Sequence, residues 1–132
     1  MKAVFDTNVL VAAFITEGVC AKLLGRARRK QLDLVISLFI LKEFENVLSK
    51  KFSASKEDMR AAAKLISEVV QMVNPAPEVS GVCRDPDDDK YLACAVDGEA
   101  DVIVSGDKDL VTLREFASIP IVSPRRFVEL HG

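Results

Sequence analysis

The chain is expected to fold as an α/β protein, a three-layer α/β/α sandwich built on a central, mainly parallel sheet. Two observations predict this. The short apolar runs Ala3-Val4-Phe5, Leu34-Val35-Ile36, Val102-Ile103-Val104 and Ile119-Pro120-Ile121-Val122 lack strict polar alternation, so they read as strands buried on both faces. Segments with helical periodicity separate them, and such segments supply the crossovers that parallel strands require. At 132 residues and 49% hydrophobic composition, the chain suits one domain over 1–132 with a sizeable core.

The elements follow in order. Residues 2–5 make the first strand, and a helix is expected over 8–15. Gly18 precedes a second helix over 19–30, which ends in Arg26, Arg28, Arg29 and Lys30, where the helix dipole favours cations. After strand 34–36, Ser37 offers an N-cap to a helix from Leu38 to Lys51. Ser55 and Asp58 form a capping-box pattern for a helix reaching about Val73, stopped by Asn74-Pro75-Ala76-Pro77. The segment 74–81, NPAPEVSG, reads as a flexible loop. Asp85-Pro86 opens a helix to about Val96, and Gly98 stops it. Strands 102–104 and 119–122 come next, and Ser123-Pro124 caps a terminal helix.

Composition narrows the function. No apolar run approaches the roughly 18 residues of a membrane span, and Asp6 interrupts any signal-peptide core. A cytoplasmic protein is expected. Cys20, Cys83 and Cys94 are widely spaced and lack a CxxC pair, so they read as reduced, mostly buried small hydrophobes. The single histidine, His131, is penultimate, which argues against histidine-based zinc or acid–base chemistry. The net charge of −2 conceals an uneven distribution. Setting aside Asp6, Glu43, Asp85, Asp87, Asp88, Asp89, Asp107 and Asp109 leaves 12 acids against 18 Lys and Arg. A basic surface around one acidic pocket would attract a polyanion, although each basic cluster also suits an ordinary solvated face.

The acids recur where elements begin or end. Asp6 follows the first strand and is either a site residue or a helix N-cap. Glu43 sits about 40° from Val47 at the edge of an apolar helical arc, facing partly inward, with a metal or a nearby cation as alternative partners. In DPDDDK, Asp87 is expected to point outward, while Asp88 and Asp89 flank the apolar arc of Leu92 and are not separated by helical geometry. Asp107 and Asp109 follow a strand in VSGDKDL, which is turn chemistry but also a pair of neighbouring oxygen donors. Ser105 could hydrogen-bond a water or a phosphate there. Carboxylates gathered at strand ends call for a compensating cation, and a divalent metal is the simplest.

The ordered set Asp6-Thr7-Asn8, Glu43, Asp89-Lys90-Tyr91-Leu92-Ala93 and Ser105 to Asp109 resembles a PIN-domain nuclease across the whole chain. RDPDDDKYLACA followed by DVIVSGDKDL is similar to the toxin components of prokaryotic toxin–antitoxin pairs. The resemblance implies Asp6, Glu43, Asp89 and Asp107 as catalytic, metal-binding acids. It selects Asp89 over Asp88, adds Asp109 as a weaker ligand, and makes Asn8 and Ser105 supporting polar residues. It further implies one or two Mg²⁺ or Mn²⁺ ions and an endoribonuclease leaving 5′-phosphate and 3′-hydroxyl ends. The expected partners are RNA, single-stranded or tRNA and mRNA, an antitoxin protein, and a second copy in a homodimer. Arg26, Arg28, Arg29 and Arg125 are candidate RNA contacts.

Three other readings stand beside it. One is a PIN nuclease of RNA processing or decay with no toxin role, and another is a binding protein without catalysis. The third, a Mg²⁺-binding receiver module, wants an acceptor Asp after a middle strand, where this chain has Ser37.

Overall fold

The computed structural model describes residues 1–74, 81–83 and 85–131. Most of the loop expected at 74–81 lies outside the described residues, as does the side chain of Asp87. The elements run β1 (Lys2–Phe5), α1 (Thr7–Ile15), α2 (Val19–Arg28), β2 (Asp33–Ser37), α3 (Leu38–Lys51), α4 (Lys56–Val69) and β3 (Val70–Val73). A 3-10 turn over Pro86–Asp88 leads into α5 (Asp89–Asp97), followed by β4 (Val102–Val104), α6 (Lys108–Thr112), β5 (Glu115–Phe116), β6 (Ile119–Val122) and α7 (Pro124–His131).

The six strands lie in the order β3-β2-β1-β4-β6-β5, parallel except for the antiparallel β5–β6 pair. The expected mainly parallel sheet is present. Its central strands β1 and β4 are almost wholly buried, with Ala3, Val4, Ile103 and Val104 at 0% exposure, as continuous apolar runs dictate. The chain builds from β1 outward through β2 to β3, then returns across the sheet to β4. Right-handed crossovers therefore place α5, which makes this return, on the face opposite the helices that precede it, while the terminal α7 packs back against α2. The strand order reverses between β1 and β4, and the crevice beyond their carboxyl ends is where such sheets bind ligands.

Local signals produced the helix starts. Ser37 accepts from the Ile40 N–H, and Ser55 and Asp58 form a reciprocal capping box. Three expectations need correction. The helix after Ser55 ends at Val69, not Val73, because Val70–Val73 pairs in parallel with Leu34–Ser37 as the sheet edge. Pairing with β2 overrode the continued helical pattern. Asp85-Pro86 does not open the helix directly, since α5 begins only at Asp89 after the 3-10 turn. The Asp107–Asp109 segment is more than a turn. It starts α6, with Asp107 as N-cap.

Gly98 closes α5 at a point of tight approach. A Cβ there would lie 2.4 Å from Cγ1 of Val35. Gly98→Ala should therefore cost about 1–3 kcal/mol of stability through overpacking, read as a lower midpoint in urea. An unchanged midpoint would show that β2 yields freely at this contact. A second local feature is the two-residue connection between β5 and β6, where Ala117 and Ser118 adopt φ of 50° and 65°. The pair A117N and S118G should stabilise the protein by about 1 kcal/mol, because this geometry favours Asn-Gly.

Candidate active site

Asp6 immediately follows β1 and caps α1. One carboxylate oxygen accepts from the Val9 N–H at 2.8 Å, and the other from the Ser105 hydroxyl at 2.5 Å and the Gly106 N–H at 3.2 Å. Ser105 is fully buried after β4, and its oxygen also accepts from the Asp107 N–H at 2.9 Å. The β1 and β4 ends are thus joined through a buried carboxylate. Asp107 in turn accepts from the Asp109 N–H at 2.8 Å, while Asp109 itself is exposed.

Glu43 approaches from α3, half-buried. One of its oxygens accepts from the hydroxyls of both Thr7 and Tyr91. Asp88 and Asp89 enter from the head of α5, and both are buried. They face different partners. The Asp89 carboxylate accepts from the Cys83 N–H at 2.8 Å, tying the preceding loop to the helix. Asp88 has no side-chain capping bond and lies within the electrostatic field of Asp107, Asp85, Asp6 and Glu43.

Burial and that field together alter protonation. Burial, with those four carboxylates adding to it, pushes Asp88 up to about 6. Burial also raises Asp6 above its ordinary range, against the hydrogen bonds from Ser105, Val9 and Gly106, with Asp107 adding repulsion. The thiol of Cys83 is pushed up to about 12 by burial and by Asp89, Asp88 and Asp107. Cys20, near the start of α2, is raised by burial and by Asp6. These groups lie close enough to act on one another electrostatically.

The raised acids give a pH dependence. A folded chain with Asp6 and Asp88 above the ordinary 3.8 holds protons that the unfolded chain releases. Folding is then favoured by acid and loses stability as pH climbs through the folded value of about 6. For these groups, metal-free protein should melt higher at about pH 5 than at about pH 7, and Asp88→Asn should flatten that slope. A slope unchanged by the substitution would contradict the coupling.

The remaining expected residues lie outside this centre. Asn8 is exposed on α1. Arg26, Arg28 and Arg29 sit on the last turns of α2, beside a depression of about 470 Å³ lined by Lys22, Arg26, Arg29 and Glu17. Nine residues along the helix separate Cys20 from Arg29, roughly 13 Å. Arg26 donates to the His131 carbonyl at 3.5 Å, and Arg125 is exposed near the start of α7. Thr7 and Tyr91 are contributors that sequence reading did not single out. Tyr91 lies 48 positions from its partner Glu43, a distance that helical periodicity does not reveal.

Among the described residues, the one ion pair is the exposed Arg126–Glu129 contact, so no basic side chain there neutralises Asp6, Glu43, Asp88, Asp89 or Asp107 by a salt bridge. Nor, among those residues, do three or more His, Cys, Asp or Glu side chains stand arranged to hold a metal ion as they are. Asp6, Glu43, Asp89 and Asp107 are instead held by hydroxyl and backbone donors. Each carboxylate oxygen has two lone pairs, so a single bond leaves acceptor capacity.

Residues 2–109 match the profile of the PIN domain. The chain is 30% identical over 142 aligned positions to an uncharacterized protein, MJ1680, of Methanocaldococcus jannaschii, covering 98% of this chain and 90% of that protein. It is also similar to the solved structure described as VapBC2 from Rickettsia felis bound to a DNA fragment from their promoter. That match has a TM-score of 0.66 and 17% identity, over 92% of this chain and 97% of that one, and it carries the fold.

Proposed function

Because the chain belongs to the PIN domain family, we propose that its acidic crevice is a divalent-metal centre for hydrolysing RNA phosphodiester bonds, leaving 5′-phosphate and 3′-hydroxyl ends. The observation that carries this reading is geometric: beyond the paired ends of β1 and β4, the buried Ser105 hydroxyl links the Asp6 carboxylate to the Asp107 N–H, beside Asp88, which burial first and then Asp107, Asp85, Asp6 and Glu43 make harder to ionise. Among the described residues, no salt bridge compensates Asp88, Asp107, Asp6 or Glu43. Two unit charges 4 Å apart repel by about 4 kcal/mol at an effective dielectric near 20. A bound cation reverses that cost.

The donor set fits Mg²⁺ or Mn²⁺, hard cations that prefer carboxylate oxygen. Asp6, Glu43, Asp89 and Asp107 would hold one or two ions, with Asp109 at the exposed edge. Bound there, such an ion acidifies water and offsets charge on the phosphate. The chain's own residues prepare the place. Ser105 and the Gly106 N–H fix the Asp6 carboxylate, the Asp109 N–H fixes that of Asp107, and the Cys83 N–H fixes that of Asp89. Ser105 acts as polar support. Arg26, Arg28, Arg29 and Arg125 would meet the RNA backbone away from the cut.

The biological setting we favour is the toxin of a toxin–antitoxin pair in the cytoplasm, working as a homodimer restrained by an antitoxin protein. The motif resemblance and the likeness in fold to VapBC2 support it. The test is incubation of end-labelled single-stranded RNA with the protein, with and without Mg²⁺ or Mn²⁺. Metal-dependent internal cleavage with 5′-phosphate products is expected. Intact RNA under both ions would refute the nuclease reading.

A further inference from the structure

The hydrogen bonds around Glu43 involve a residue that the metal-centre reading leaves without a role. We propose that Tyr91 is a positioning residue for Glu43, holding one carboxylate oxygen so that the other is presented to a divalent cation. This rests on the metal-centre reading.

Three elements converge on the glutamate. Thr7 is the first residue of α1, Glu43 lies on α3 and Tyr91 on α5. The phenol oxygen accepts from the Thr7 N–H at 3.3 Å and stands 2.9 Å from the Thr7 hydroxyl. Each hydroxyl carries one proton, and both lie within reach of Glu43 Oε1. No comparable bond to Glu43 Oε2 appears among the described residues. A long side chain on a half-exposed helix face would otherwise sample several rotamers. Here it is gripped from two sides by groups that are themselves buried, Thr7 at 3% and Tyr91 at 6% exposure.

The hydroxyl is not incidental to packing. The chain has seven Phe, one Tyr and no Trp, and Phe5, Phe44 and Phe127 fill the core as plain rings. Only position 91 carries an aromatic hydroxyl, and that hydroxyl is engaged with Glu43 and Thr7. Partners of this kind orient metal-binding carboxylates and typically contribute 10–100-fold to affinity.

A double-mutant cycle read by Mn²⁺ titration tests this, with free Mn²⁺ followed by electron paramagnetic resonance. Tyr91→Phe keeps the ring and should weaken Mn²⁺ binding by about tenfold. In a Glu43→Ala background, the same change should matter by less than about twofold, because the tyrosine then has nothing to position. Thr7→Val, measured likewise, should show the same dependence on Glu43 and replaces Tyr91→Phe if that variant does not fold. Equal losses in both backgrounds, or wild-type affinity in Tyr91→Phe, would overturn the proposal. Wild-type protein that holds no Mn²⁺ would overturn the metal centre and the positioning role together. Wild-type protein that binds Mn²⁺ but leaves RNA intact would defeat the nuclease reading alone, and the cycle would still decide the part played by Tyr91.

Discussion

Asp6→Asn should cut RNA roughly a thousandfold more slowly than wild type, the factor that about 4 kcal/mol represents. The substitution should leave the fold intact. Asn caps a helix about as well as Asp, so the bond from the Val9 N–H is retained. The Ser105 hydroxyl can rotate to accept from the new amide, leaving the Gly106 N–H as the main mismatch. Loss of a buried charge, already disfavoured by desolvation, offsets part of that mismatch. The check pairs single-turnover cleavage with thermal melting. Full activity in a well-folded Asp6→Asn protein would remove Asp6 from the chemistry. Loss of both activity and fold would mean that its role is structural, through the Ser105 and Gly106 bonds that Asn does not fully reproduce.

Removing the metal should have an effect as large. Excess EDTA should stop cleavage, and Mg²⁺ or Mn²⁺ added beyond the chelator should restore it. The same ions should raise the melting temperature, since a ligand at 100 times its Kd stabilises the folded state by about 2.7 kcal/mol. That rise should be larger at about pH 7 than at about pH 5, because protons and the cation compete for the same carboxylates. Asp88, raised to about 6, and Asp6 are the groups expected to set this competition. Cleavage that survives chelation would contradict a metal mechanism outright.

How much is legible in the sequence depends on how local each signal is. The capping box of Ser55 and Asp58 spans four residues and can be read from those residues alone. So can the central strands, because β1 and β4 are apolar at every buried position. The edge strand β3 cannot. Its Val70 and Val73 read as the end of a helix until β2 recruits them, and that pairing joins residues some 36 positions apart, such as Leu34 and Val70. The five-residue helix α6 is hidden for another reason. Its start depends on the Asp107 carboxylate accepting from the Asp109 N–H, a bond equally compatible with an isolated turn.

The same distinction applies to the crevice. That Asp6 and Asp107 sit beyond neighbouring strand ends follows from the apolar runs preceding them, once β1 and β4 are paired. The different partners of Asp88 and Asp89 do not follow, because helical angle puts both beside the arc of Leu92. A 3-10 turn precedes α5, the Cys83 N–H bonds Asp89, and Asp88 lies in the field of the other acids. The Thr7–Glu43–Tyr91 contacts depend wholly on tertiary packing of α1, α3 and α5.

Carboxylates from the end of β1, α3, the head of α5 and the end of β4 are expected to serve one ion-holding crevice. Anomalous diffraction from crystals soaked in Mn²⁺, at a concentration that supports cleavage, addresses it most directly. The expected result is a peak beyond the carboxyl ends of β1 and β4, within bonding distance of Asp6 and Asp107, that vanishes in Asp6→Asn crystals. Ordered crevice side chains with no peak between them, or Mn²⁺ bound only elsewhere on the surface, would contradict a metal centre at these carboxylates.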